Sequence, residues 1–301
     1  MLRRTLSFNY EDSFILRNLV SGLSGIAEKK ITLIPALFLC SVIGLGLIGP
    51  YIAPYGYQET IIRNGEIIKT AQPSLAHPLG TTVLANDVLS RVIIGARPTV
   101  IAGLLGGGLA IAIGMTIGIT AGYVGGRVDS VLMRFTDFAY SMPFIPFALV
   151  LSAIFGIGFY TSVLIIGIVL WRGNARVLRS QVLQIKNRQF VKTARATGAS
   201  TPHIIVRHIL PNVAPMAFLF FAIAIGLSII LQASLAFLGA SNPFLPSWGV
   251  MLRNAYDSGF MARQLGWSLT PGLLIACTVV STFLIGRELE SEGSEEAVAQ
   301  G

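Results

Sequence analysis

The side chains best suited to acid–base or nucleophilic chemistry are few, and their spacing argues against an enzyme. His77, His203 and His208 are the three histidines of the 301-residue chain. A zinc protease helix needs His-Glu-x-x-His, a serine hydrolase elbow Gly-x-Ser-x-Gly, and a nucleotide-binding loop Gly-x-x-x-x-Gly-Lys. None of the three patterns occurs. His203 and His208 are five apart, so on an α-helix they fall on different faces and make no paired zinc ligands. Cys40 and Cys277 sit inside separate apolar blocks, without the spacing of a disulfide framework or a metal site. An intramembrane protease would need a nucleophile and a base at bilayer depth, and all three histidines lie outside the apolar blocks. We therefore expect no catalytic residues, no metal and no cofactor, and no ATP hydrolysis by the chain itself.

Two clusters remain that could handle a solute or a partner. Arg172, Asn174 and Arg176 stand where the apolar run beginning at Gly158 ends. A lipid-facing arginine at the bilayer centre costs about 2.5–3.5 kcal/mol. These side chains therefore either snorkel to the inner interface or line a water-filled translocation path. The second cluster is the polar stretch 179–211, which is too patterned for a plain linker. Phe190, Val191 and Ala194 form a short apolar face, and Gly198 stands where a helix would end in the left-handed conformation. Ser200-Thr201-Pro202 then offers a cap with proline in the first turn, opening a second helix through Pro211. A short amphipathic helix with no lipid to cover it fits a groove on a partner protein.

The elements that position these residues are membrane spans. Hydrophobic residues make up 53%, charged residues 12%, and the mean hydropathy is +0.71. Soluble domains carry about 25% charged residues, so most of this exterior faces lipid. A net charge of +8 could suit nucleic acid, but the basic residues lie between apolar blocks without interleaved aromatics. About 20 apolar residues cross a bilayer as a helix. Segments 31–54, 98–122, 135–157, 212–239 and 266–286 qualify, and 158–178 gives a sixth with charges at its inner end. The first block is too long for a signal peptide and has no cleavage site, so it reads as a retained helix. The fold class is all-α and polytopic.

Sixteen of the 22 basic residues fall on one side of this topology and six on the other. By the positive-inside rule both termini are expected in the cytoplasm. The organisation is then a cytoplasmic segment 1–30, a six-helix membrane domain 31–286, and an acidic tail 287–301. Phe14, Leu16, Leu19, Val20, Leu23 and Ile26 recur at helical spacing before the first span and suggest an interfacial or solvated helix. The outer loop 55–97 holds a similar stretch, with Leu84, Val88, Leu89, Val92 and Ile93 on one face. Asn86, Asp87, Ser90 and Arg91 take the other, and Thr81 or Thr82 is the expected cap. Gly114, Gly118 and Gly122 line one face of the second span and admit a close neighbour, within the bundle or from another subunit.

Several stretches, in register, carry a resemblance. Phe190-Val191-Lys192-Thr193-Ala194-Arg195-Ala196-Thr197-Gly198, followed by Arg207-His208-Ile209-Leu210-Pro211-Asn212, looks like the EAA loop of ABC importer permeases. His77-Pro78-Leu79-Gly80-Thr81 with Asp87 to Arg91 and Gly95-Ala96-Arg97 resembles the outer-loop signature of the dipeptide, oligopeptide and nickel branch. Ala121 to Gly126, Ala233 to Gly239, Pro246-Ser247-Trp248-Gly249 and Pro271-Gly272 are similar to that branch as well. The similarity covers about residues 30–286. It implies a type I permease subunit that passes peptides or similar small solutes. Its partners would be a second homologous permease, two cytoplasmic ATPases that bind ATP and magnesium, and an extracytoplasmic binding protein. It also implies that Phe190, Val191, Lys192, Ala194, Arg195, Gly198 and Ala199 form the ATPase-coupling surface. The Glu-Ala pair that names the loop reads Lys192-Thr193 here. A stand-alone channel or secondary transporter is the alternative from a different class. It would want ionisable groups within the spans, and spans one, two, five and six contain none.

Overall fold

The computed structural model describes residues 30–299, with side chains over 32–291. Ten α-helices, counted among these residues, build a membrane bundle. The proposed helix before the first span and the tip of the acidic tail lie outside the described residues. Helix α1 (Lys30–Ile52) is followed by a two-stranded hairpin, β1 (Ile62–Arg63) and β2 (Glu66–Ile67). Asn64 and Gly65 join the strands, both at positive φ, as a two-residue primed turn requires. Then come α2 (Val88–Val124), α3 (Gly126–Ser141), α4 (Phe144–Phe155) and α5 (Phe159–Ile185). The rest is α6 (Gln189–Ala196), α7 (Thr201–Ile204), α8 (Leu210–Phe237), α9 (Trp248–Asp257) and α10 (Leu265–Ala299). Five helical stretches are long and apolar enough to cross a membrane, and α3 with α4 makes a sixth if the bent pair counts as one span.

Glycine sets a close seam between α2 and α5. A Cβ on Gly118 would stand 2.6 Å from the Ala175 carbonyl oxygen, and one on Gly122 2.9 Å from that of Arg179. A Cβ on Gly114 would lie 2.7 Å from the Asn174 Cβ. The glycine stripe is therefore used inside the chain, where it lets two backbones approach without an intervening side-chain layer. Other uncharged helix faces remain bare, as lipid contact allows: Ile34, Leu47, Ile154 and Leu273 are all exposed.

Three expectations change. The third span, expected as one helix over 135–157, is broken, and α3 meets α4 at 90°. Pro143 is the cause. It has no N–H to continue the ladder, and it drives Met142 into extended backbone at φ −81° and ψ 123°. The outer-loop helix and the second span are instead one helix of 37 residues, continuous through Pro98. Its N-cap is Asp87 rather than Thr81 or Thr82, and the Asp87 carboxylate accepts from the Ser90 N–H at 2.8 Å. Finally, the sixth span does not stop near residue 286, since α10 runs on to Ala299.

Candidate functional site

The polar loop after α5 folds as two short helices around a sharp corner. Gly198 has φ +86°. The Gly198 N–H donates to the Arg195 carbonyl and the Ala199 N–H to the Ala194 carbonyl, closing α6 with the 6→1 and 5→2 bonds of a Schellman turn. Ser200 occupies the cap position of α7 in extended backbone, with Pro202 in the first turn. Helix, left-handed glycine and second helix thus follow the order expected from sequence.

The inward face differs from the expectation. Val191 has no exposed surface. It sits in a cluster with Ile185, Ile204, Ile209 and Val213, and Ala194 and Ala199 pack half-buried against it. Val191 therefore offers nothing to a partner and serves as the anchor of α6. An eight-residue helix is too short to persist alone in water, and burying its valine supplies about 1.5–3 kcal/mol. The outward face consists of Phe190, Lys192, Thr193, Arg195, Ala196 and Gly198. Sequence reasoning left out Ala196 and Thr193. Counting round the helix from Val191 would have put both on the far side.

A π-helical turn, Ile205–Ile209, joins α7 to α8. The Leu210 N–H reaches back five residues to the Ile205 carbonyl, just ahead of Pro211, which has no N–H to give. Its wider turn brings His203 and His208 onto one face, their rings 6.2 Å apart. That overturns the expectation from α-helical spacing. Phe190 leans over the same patch, 6.1 Å from the His208 ring. No group of three metal-ligating side chains occurs among the described residues.

The second cluster separates into three roles. Arg172 donates to the carbonyls of Ala139 and Met142, so its guanidinium satisfies the C-terminal end of α3 at the 90° bend. Asn174 is buried against the α2 seam with its Nδ2 unpartnered, rather than facing a cavity. Arg176 donates to the Asp137 carboxylate at 2.7 Å, lies over the Tyr140 ring, and remains half exposed. Beyond it, Arg179 forks onto both oxygens of Asp129. These three arginines thus pin α3 along α5.

The opposite end of the bundle carries the other polar network. The Asp87 carboxylate meets His77 Nδ1 at 3.0 Å and accepts from the Ser90 hydroxyl at 2.7 Å. Arg91 donates to Asn86 Oδ1 at 3.1 Å and to the Tyr57 hydroxyl at 2.7 Å, and it stacks on the Tyr57 ring. Asn86, Asp87, Ser90 and Arg91, expected to be the solvated face, are all buried. Leu84, assigned to the apolar face, is exposed. The polar groups could turn inward because the loop supplies their hydrogen bonds.

Comparison with known proteins agrees with this architecture. Residues 114–291 match the family described as binding-protein-dependent transport system inner membrane component. Proteins described as glutathione transport system permease protein GsiD, from Escherichia coli O6:K15:H31 (strain 536 / UPEC) and Shigella boydii serotype 4 (strain Sb227), are each 34% identical to this chain over 264 residues. Those alignments cover 86% of this chain and 84% of each relative. Five or six apolar crossings, a helix–glycine–helix loop after α5 and this similarity together place the chain in that family, as a multi-pass permease subunit of an ABC importer.

Proposed function

We propose that this permease forms one half of a translocation path with a second, homologous permease, and that it takes its power stroke through α6 and α7. The observation that carries the reading is the helix–turn–helix after α5. It is anchored by Val191 and closed at Gly198, and it leaves an outer face of Phe190, Lys192, Thr193, Arg195 and Ala196 exposed. Such a face fits a groove on one cytoplasmic ATPase subunit, and the second permease would dock on the other in the assembled importer. The 16-to-6 distribution of basic residues supports cytoplasmic termini and an outer loop over residues 55–87. An extracytoplasmic binding protein would deliver solute to that loop. The named relatives handle glutathione, a tripeptide, which supports a short peptide or similar small solute here. Of Arg172, Asn174 and Arg176, Arg176 alone keeps a half-exposed side chain, paired with Asp137.

The test is reconstitution of the permease with its second permease, ATPase and binding protein in proteoliposomes. Short peptides should be taken up only with ATP present, and Ala196→Trp should abolish uptake while the permease stays in the membrane. Normal coupled uptake by Ala196→Trp would remove α6 as the coupling element.

A further inference from the structure

The outward face of α6 has a charge pattern that the coupling role does not by itself require. Arg188, the N-cap residue, Lys192 and Arg195 follow at i, i+4 and i+7, so they form one exposed stripe along the helix. No Asp or Glu occurs between Asp137 and Asp257. Among the described residues no carboxylate meets Arg188 or Lys192, and Arg195 finds only the face of the Tyr123 ring, 5.6 Å from its centroid. Like charges at these spacings repel within a helix that is already too short to hold itself. Elsewhere on the exposed surface, Arg176 pairs with Asp137 and Arg253 with Asp257.

We propose that the ATPase groove receiving α6 is acidic, with carboxylates facing Arg188, Lys192 and Arg195. The inference rests on the coupling reading above and goes beyond it, because it assigns the sign of the partner's surface. Charge complementarity is its basis: a row of unneutralised cations on a docking face selects a partner of opposite sign and repels a basic one. A basic helix could instead lie on anionic lipid. A lipid-bound helix inserts an apolar face, however, and the apolar anchor of α6, Val191, is buried in the chain's own core. Phe190 is the one large apolar side chain left on the outside of α6.

The experiment measures binding of the purified ATPase subunit of the same transporter to the permease pair in nanodiscs, across about 50 to about 500 mM NaCl. Wild type should bind less tightly as salt rises. Lys192→Glu should weaken binding about tenfold at low salt and flatten the salt dependence, with Lys192→Gln between the two. Equal or tighter binding by Lys192→Glu would overturn the acidic groove. So would a Lys192→Glu effect that appears in nanodiscs of anionic phosphatidylglycerol and vanishes in nanodiscs of neutral phosphatidylcholine. Ala196→Trp separates the two readings. If it blocks binding while Lys192→Glu strengthens it, α6 still docks and only the acidic groove is lost. If neither variant changes binding, α6 is not the docking element.

Discussion

The two long polar connections of this permease, residues 53–87 at one end and residues 186–209 at the other, solve opposite problems. In the first, Asp87 turns inward at the start of α2, while Glu59, Arg63, Glu66 and Lys69 stay exposed. Asp87 holds His77 and the start of α2, while Arg91 is enclosed by Asn86 and Tyr57. In the second the valine turns inward and the charges turn outward, with Arg188 and Lys192 meeting no carboxylate among the described residues. Buried charges are tolerable only with partners, and the first connection supplies them to Asp87 and Arg91 from His77, Asn86 and Tyr57. The second leaves its electrostatics unfinished, which suits a surface completed by another subunit. Which groups a loop satisfies for itself thus distinguishes a platform from a docking element.

This contrast predicts a ranking of substitutions. Asp87→Ala should have the largest effect on the fold. It leaves buried His77 without its partner, at about 1–3 kcal/mol, and removes the cap of α2, at about 1 kcal/mol more. A lowered midpoint of thermal unfolding in nanodiscs would read this, and an unchanged midpoint would mean that the buried pair is dispensable. Gly118→Leu comes next, since its side chain would meet the Ala175 carbonyl across the α2–α5 seam. Overpacking there costs about 1–3 kcal/mol, and paired cysteine probes on α2 and α5 should report a wider separation. Gly198→Ala should cost only about 1–2 kcal/mol. Its Cβ would meet nothing within 4 Å, so the penalty is left-handed backbone alone, and Gly198→Asn should recover part of it. Lys192→Gln should change stability by no more than about 0.5 kcal/mol while still reducing ATPase-coupled uptake. That separation of stability from function is what a docking surface gives and a structural one does not.

Much of this was legible in the sequence because lipid imposes a simple rule. Long uncharged blocks predicted α1, the 98–122 part of α2, α8 and α10, a shorter block extended through Arg172 predicted α5, and the spacing of Gly114, Gly118 and Gly122 predicted a close seam. Gly198 announced its corner because a left-handed residue after a short helical stretch favours glycine. Where pattern reading failed, the deciding contact lay far away in the chain. The polar face at 86–91 is buried because Tyr57, Glu59 and His77 reach it, and no local window holds those residues. Val191 was taken for a docking residue because its partners, Ile204 and Ile209, arrive only after the chain reverses at Gly198. The 90° bend did have a local signal. Met142-Pro143 interrupts the third apolar block, and the residue before a proline resists the helical region.

Site-specific photo-crosslinking puts the division between the two connections to its most direct trial. A photoreactive residue replaces Thr197 beside the α6 corner, or Glu66 in the hairpin of the other connection, in the fully assembled transporter. The coupling account predicts that the probe at Thr197 captures the ATPase subunit, with a yield that changes on adding ATP. The probe at Glu66 should capture the binding protein and never the ATPase. Capture of the ATPase from Glu66, or its absence at Thr197 in an actively transporting complex, would contradict the account.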